Sequence, residues 1–229
     1  MTRMNRYAVY FAPRPSAFAT RSAEWLGWDA LRGAALVQPD LPGLPLPPAQ
    51  LTTDSRRYGF HGTIRAPFRL AKGVGEAEVR DCLSALAARL APVTCDGLML
   101  KNLHGFLALT PMGCEAALLD LAALVVEGTD DLRATLTSDE IARRRPQTLS
   151  PRQRDLLELW GYPFVMEEFR FHLTLTDRLP DDQATKVATI LQAHFAPVLP
   201  QPFVIEDLCL FGEDVAGRFH LLHRYALTG

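Results

Sequence analysis

Two short phrases, YGFHGTIRAPF at 58–68 and FRFHLTLTDRL at 169–179, repeat one pattern: an aromatic residue, a histidine, any residue, a threonine, then apolar residues. Both are rich in aromatic and β-branched residues, and each predicts a strand. Alternation along a strand sends His61, Thr63 and Arg65 to one face and Phe60, Gly62 and Ile64 to the other. In the second phrase Arg170, His172, Thr174 and Thr176 share a face, opposite Phe169, Phe171, Leu173 and Leu175. Each polar face then carries a histidine, an arginine and at least one threonine.

The segments around the two phrases come in the same order. RYAVYFAP (6–13) predicts a first strand that stops at prolines, and Ser16 can cap a helix in AFATRSAEWLGW. The stretch QPDLPGLPLPPAQ (38–50) holds too many prolines for a helix or a central strand and reads as a connector. After the first phrase, residues 76–90 place Val79, Leu83, Leu86 and Leu90 on one helix face, and GLMLKNL with GFLALTP predicts a hairpin. A helix at 115–126 follows, then two short helices in SDEIARRRP and SPRQRDLLELWGYP. After the second phrase a helix is predicted at 181–194, and FVIEDLCLFG with GRFHLLHRYAL predicts a closing strand pair.

This order predicts an α+β fold: a single bilobal domain over 1–229, with pseudo-symmetric lobes of about 14–110 and 111–229. Their antiparallel sheets would face a central cleft, each lobe would bring one histidine phrase, and the N-terminal strand 5–12 would be exchanged between lobes. A chain of 229 residues that is 48% apolar can bury one large core of this kind. Its net charge of -2 provides no global field for nucleic acid or anionic membrane, so any anion binding must be local. Cys82, Cys95, Cys114 and Cys209 form no C-x-x-C pair, and reduced thiols in a cytoplasmic protein are expected. No apolar run reaches the length of a membrane span, and no membrane partner is expected. The expected oligomeric state is a monomer.

Imidazole titrates near neutral pH, so two imidazoles facing one cleft can divide proton transfer between them. Phosphodiester hydrolysis needs that division: a base activates the attacking water, and an acid protonates the departing alkoxide. Thr63 and Thr174 can donate hydrogen bonds to non-bridging oxygens, and Arg65 and Arg170 can offset charge. Tyr58 and Lys101 join the candidate substrate contacts on facing and charge. The scheme needs no cofactor and no metal.

Two H-x-T-apolar phrases on strands of separate lobes resemble the 2H phosphoesterase superfamily, which includes RNA ligase-like enzymes acting on 2′,5′ linkages and cyclic nucleotide phosphodiesterases, and the resemblance implies hydrolysis of a cyclic or 2′,5′-type phosphodiester. The phrases YGFHGTIRAPFRL and LSPRQRDLLELWGYPFVMEEFRFHLTLTDRL resemble more narrowly a phosphonate-metabolism branch of that superfamily, found beside carbon-phosphorus lyase genes. The superfamily resemblance implies that His61 and His172 are the acid-base pair and that Thr63 and Thr174 hold phosphate. The branch implies a small phosphodiester substrate, such as a ribose cyclic phosphate. An RNA end is a further substrate class, and a non-catalytic protein that binds nucleotides or RNA ends is the alternative function.

Other features have plainer roles. A metal site on His61 and His172 would need a third ligand, and no H-x-H or H-E-x-x-H spacing provides one. His104 falls at the predicted hairpin turn and His194 at a helix end, both structural positions. His220 and His223 sit at odd spacing in the last strand and face opposite ways. The RRRP run at 143–146 can grip a second phosphate, although a solvated helix face is the ordinary role of such a run.

Overall fold

A computed structural model describes residues 4–229 of the chain; residues 1–3 of the expected domain lie outside them. The elements in order are β1 (Arg6–Phe11), α1 (Ala17–Leu26), β2 (Trp28–Asp29), β3 (Ala34–Ala35), α2 (Pro48–Leu51), β4 (Gly62–Phe68) and α3 (Glu76–Ala87). Then come β5 (Val93–Cys95), β6 (Gly97–Leu103), β7 (Phe106–Met112), α4 (Glu115–Gly128), α5 (Ser138–Arg143) and α6 (Pro151–Trp160). The chain closes with β8 (Leu173–Thr174), α7 (Asp181–Phe195), β9 (Phe203–Ile205), β10 (Asp207–Glu213) and β11 (Phe219–Ala226).

Local chemistry sets the helix ends. The Ser16 hydroxyl accepts from the Ala19 amide at 3.1 Å, and Gly27, with φ 75°, ends α1 in the left-handed region. Ser150 and Gln153 form a reciprocal capping box around Pro151, and Thr137 with Glu140 forms another at α5.

The fold is mixed, with helices packed on antiparallel sheet. One seven-stranded sheet runs β11-β10-β1-β4-β8-β7-β6. This order is interleaved with respect to the division expected near residue 110. The first-half hairpin β6–β7 lies beside β8 of the second half, and the second-half hairpin β10–β11 lies beside β1. The four strands on one side and the three on the other meet at a single pair, Gly62 with Leu173.

Strand β1 shows how the sheet is buried. Tyr7, Val9 and Phe11 join the large core, while Ala8 and Tyr10 belong to a smaller cluster on the opposite face, with Cys209, Phe211 and Phe219. Onto the first face α3 packs Val79, Leu83 and Leu86, α4 packs Leu118, Leu121 and Val125, and α7 packs Val187, Leu191 and Phe195. Trp25 of α1 is fully buried and donates Nε1–H to the Leu175 carbonyl at 2.7 Å, which ties α1 to the chain after the second histidine phrase. The helices leave the other face free to carry the site.

Cys95 and Cys114 are joined in a disulfide, where reduced thiols were expected. The end of β5 and the residue before α4 bring their Cα atoms to 5.0 Å, within bridging range, a proximity that their separation in sequence does not show. Cys82 and Cys209 are free thiols.

The join between β4 and β8 depends on a missing side chain. A Cβ on Gly62 would stand 2.2 Å from Cζ of Phe171. Phe171 is buried and cannot swing clear. Gly62→Ala is expected to destabilise the protein by about 1–3 kcal/mol through overpacking, read as a lower urea midpoint; an unchanged midpoint would show that the strands separate freely there.

Candidate functional site

The open face of β4 and the chain around β8 bound a cavity of about 490 Å³. His61, Thr63 and Tyr58 line it from the first phrase, and Thr174, Thr176, Asp177 and Arg178 from the second. The two histidines are held alike. His61 Nδ1 lies 2.9 Å from the carbonyl of Gly59, and His172 Nδ1 lies 2.8 Å from the carbonyl of Arg170. In each case the partner is the carbonyl two residues back. A carbonyl only accepts, so both Nδ1 atoms carry the hydrogen and both Nε2 atoms are left to take or give a proton.

That geometry rests on a glycine. Gly59 has φ 70°, and a Cβ there would meet the Ala30 Cβ at 2.7 Å, so only glycine turns its carbonyl back toward His61. The His61 ring stacks on Tyr10, with centroids 4.0 Å apart, and lies 5.7 Å from the Tyr58 ring. His172 packs against Phe106 at 5.5 Å, and Phe106 lines the cavity, whereas His172 itself is not part of its wall.

Burial pushes His61 down to about 4, partly offset by the Gly59 carbonyl, and the charge of His172 lowers it further. Burial also lowers His172, against the pull of the Arg170 carbonyl. The two imidazoles therefore feel one another, and at neutral pH in the free protein both are uncharged. Thr63 pairs across the sheet with Tyr10, and Thr174 with Ala108. Neither hydroxyl makes a hydrogen bond to another described residue.

Three of the residues chosen from facing and charge lie elsewhere. The register of β4 against β1 shifts between the Val9–Arg65 and Tyr10–Thr63 pairs. This irregularity breaks the alternation that would align Arg65 with His61. Arg65 is instead 2% exposed, and its Nη2 donates to Asp130 at 2.9 Å. Arg170 precedes the two residues that form β8 and folds its Nη1 onto the carbonyls of Glu167 and Phe169, at 2.7 and 2.6 Å. Lys101 is on β6, the outermost strand on that side, and lines a different cavity together with Arg170.

Arg144, from the RRRP run, lines the cavity, together with residues that the sequence did not single out: Arg6, Tyr10, Phe106 and Tyr162. Arg178 stands four residues after Thr174 within the second phrase, and its Nη1 donates to the His104 carbonyl at 2.8 Å. Asp177 accepts the amides of Asp54 and Ser55 at 2.8 and 2.9 Å and so anchors the turn that leads to Tyr58. Among the described residues no three His, Cys, Asp or Glu side chains are grouped as a metal cage would need. No helix among the described residues is long and apolar enough to cross a membrane.

A family model described as "Protein of unknown function (DUF1045)" matches residues 63–220. The chain is 39% identical over 220 residues to a protein of Janthinobacterium sp. (strain Marseille) named ribose 1,5-bisphosphate phosphokinase PhnN, covering 93% of this chain and 49% of that protein. A protein of the same name from Laribacter hongkongensis (strain HLHK9) is 38% identical over 224 residues, covering 96% of this chain and 51% of that one. The chain thus spans about half the length of the curated relatives it matches. Among solved structures, E. coli LigT in apo form aligns over 100% of both chains with 15% identity and a TM-score of 0.46.

Proposed function

The chain belongs to the DUF1045 family, whose description names no function, and from the geometry of its cleft we propose that it is a phosphodiesterase of the 2H type. One observation carries this reading: both H-x-T histidines have Nδ1 bound to a carbonyl two residues back, which frees both Nε2 atoms for proton transfer. His61 and His172 are the acid-base pair, in either order according to how substrate lies between them. The free hydroxyls of Thr63 and Thr174 hold non-bridging oxygens of the phosphate.

The substrate class is a small cyclic phosphodiester, of which a ribose cyclic phosphate is the first candidate. Relatives named for a ribose bisphosphate support that class. Their kinase name is not carried over. The matched chain lacks a G-x-x-x-x-G-K-[ST] phosphate loop and accounts for only half of their length.

For the reaction, one imidazole must be neutral and the other protonated. Because burial lowers both histidines in the free protein, that singly protonated form is populated mainly below pH 6.5. Above it, the protonated fraction falls about tenfold per pH unit. Accordingly kcat/KM is expected to trace a bell with its maximum below pH 6.5, insensitive to chelator. A bound phosphate anion favours the imidazolium, so the kcat profile should extend to higher pH. Phosphorus NMR with a ribose cyclic phosphate, run across pH, tests the reading. Tight binding without ring opening at any pH would make the protein a nucleotide-binding module instead.

A further inference from the structure

One carboxylate that belongs to neither H-x-T triplet links the two histidine phrases. Asp177, three residues after Thr174, accepts the Asp54 amide through Oδ2 at 2.8 Å and the Ser55 amide through Oδ1 at 2.9 Å. Both of its oxygens are thus engaged, and a charged acceptor makes such bonds stronger than neutral ones. All three residues line the histidine cleft. The chain that carries the carboxylate is itself fixed. Thr176 Oγ1 accepts the Leu107 amide at 3.0 Å, and the Leu107 carbonyl accepts the amides of Leu175 and Thr176 at 2.9 and 3.2 Å. The Asp177 amide donates to the Leu51 carbonyl at 2.7 Å.

What Asp177 grips leads directly to His61. From Ser55 the chain makes a single 3₁₀ turn to Tyr58, and the Gly59 amide closes on the Arg56 carbonyl at 3.1 Å. The Gly59 carbonyl then lies 2.9 Å from His61 Nδ1. The carbonyl that holds His172 belongs to Arg170, within the second phrase itself, and needs no bridge between the phrases. Burial keeps His61 uncharged at neutral pH, so its tautomer decides whether Nε2 can take a proton. An imidazole released from its carbonyl exchanges between both tautomers, and the fraction with hydrogen on Nε2 is inert as a base.

We propose that Asp177 is a positioning residue of the acid-base pair: from the second phrase it sets the turn that aims the Gly59 carbonyl, and so keeps the His61 hydrogen on Nδ1 and Nε2 open to substrate. The two histidines then depend on one another through the backbone as well as through the substrate between them. This role rests on the phosphodiesterase reading of the cleft.

Imidazole nitrogen NMR at neutral pH, compared between wild type and Asp177→Asn, reads the tautomers without turnover. Asparagine keeps the shape of the side chain but offers one acceptor and turns an amide group toward a backbone N–H. Wild type is expected to carry hydrogen on Nδ1 of both rings. In the variant the His61 nitrogens should move toward the average of the two tautomers while those of His172 stay in place. Unchanged His61 nitrogens in a folded variant, or equal movement of both rings, would overturn the role. Turnover of a ribose cyclic phosphate gives a second readout: kcat should fall about tenfold to a hundredfold with KM within about threefold of wild type, and a normal kcat would also overturn the role. Asp177→Glu, which keeps the charge and both oxygens one methylene too far along, covers the case in which Asp177→Asn does not fold; it should show the same one-sided shift of His61. If wild type cleaves nothing while the nitrogens shift as expected, Asp177 still positions His61 and the phosphodiesterase reading is what fails.

Discussion

Replacing His61 with alanine is expected to lower turnover of a cyclic phosphodiester by about 10²–10⁴-fold, and His172→Ala by a similar factor. The two side chains act on one proton inventory, so the double variant should be little worse than either single one. His61 also stacks on Tyr10 and accounts for part of the local packing. His61→Asn, which keeps a polar planar group, therefore belongs in the series as a control. Near-normal kcat in any folded single variant would remove that histidine from the acid-base pair. Circular dichroism and a urea midpoint verify the fold.

The second large effect concerns stability. Asp130 receives Nη2 of Arg65 at 2.9 Å and Nε of Arg133 at 2.9 Å. These contacts hold its carboxyl below the usual carboxylate range against the opposing effect of burial. Asp130→Ala would leave the Arg65 guanidinium charged and buried with no partner, a change expected to cost about 3–5 kcal/mol. Removing the cation instead, as in Arg65→Met, leaves Asp130 still paired with Arg133 and puts an apolar side chain of similar length in the buried position, so stability should change by no more than about 1 kcal/mol. If the two substitutions shift the urea midpoint equally, Arg65 is better solvated than its surroundings indicate.

Residues whose placement follows from local pattern were legible in the sequence. The histidine and threonine of each phrase stand two residues apart in extended chain, so one pleat aims both the same way. The caps at Ser16 and Ser150 could be read for the same reason. Positions fixed by long-range pairing were not legible. Tyr10 and Phe106 reach the cleft only because β1 and β7 flank β4 and β8. β1 is buried on both faces, so its uniformly apolar sequence does not reveal which side Tyr10 takes.

Arg65 illustrates a different limit. A shift of register between neighbouring strands inverts facing without leaving a mark in the composition, and it moves the guanidinium off the cleft and onto Asp130. Arg170 lies off the cleft because the second phrase makes only a two-residue strand, and Lys101, which shares a sheet face with Thr174, lies on the edge strand β6, two strands away from β8. The Cys95–Cys114 bridge depends on β5 pairing with β9, a contact between remote parts of the chain.

The interleaved strand order has a consequence for how the protein comes to exist. β1 precedes every other strand of the seven-stranded sheet in the chain, yet its neighbour β10 follows all of them except β11. The sheet beneath the histidine cleft is therefore complete only once β10 has joined β1, and closing so long a loop makes that pairing late and slow. A gene cut between β7 and α4 would yield two fragments with open ladder edges, neither competent by itself, and function would return only on reassociation.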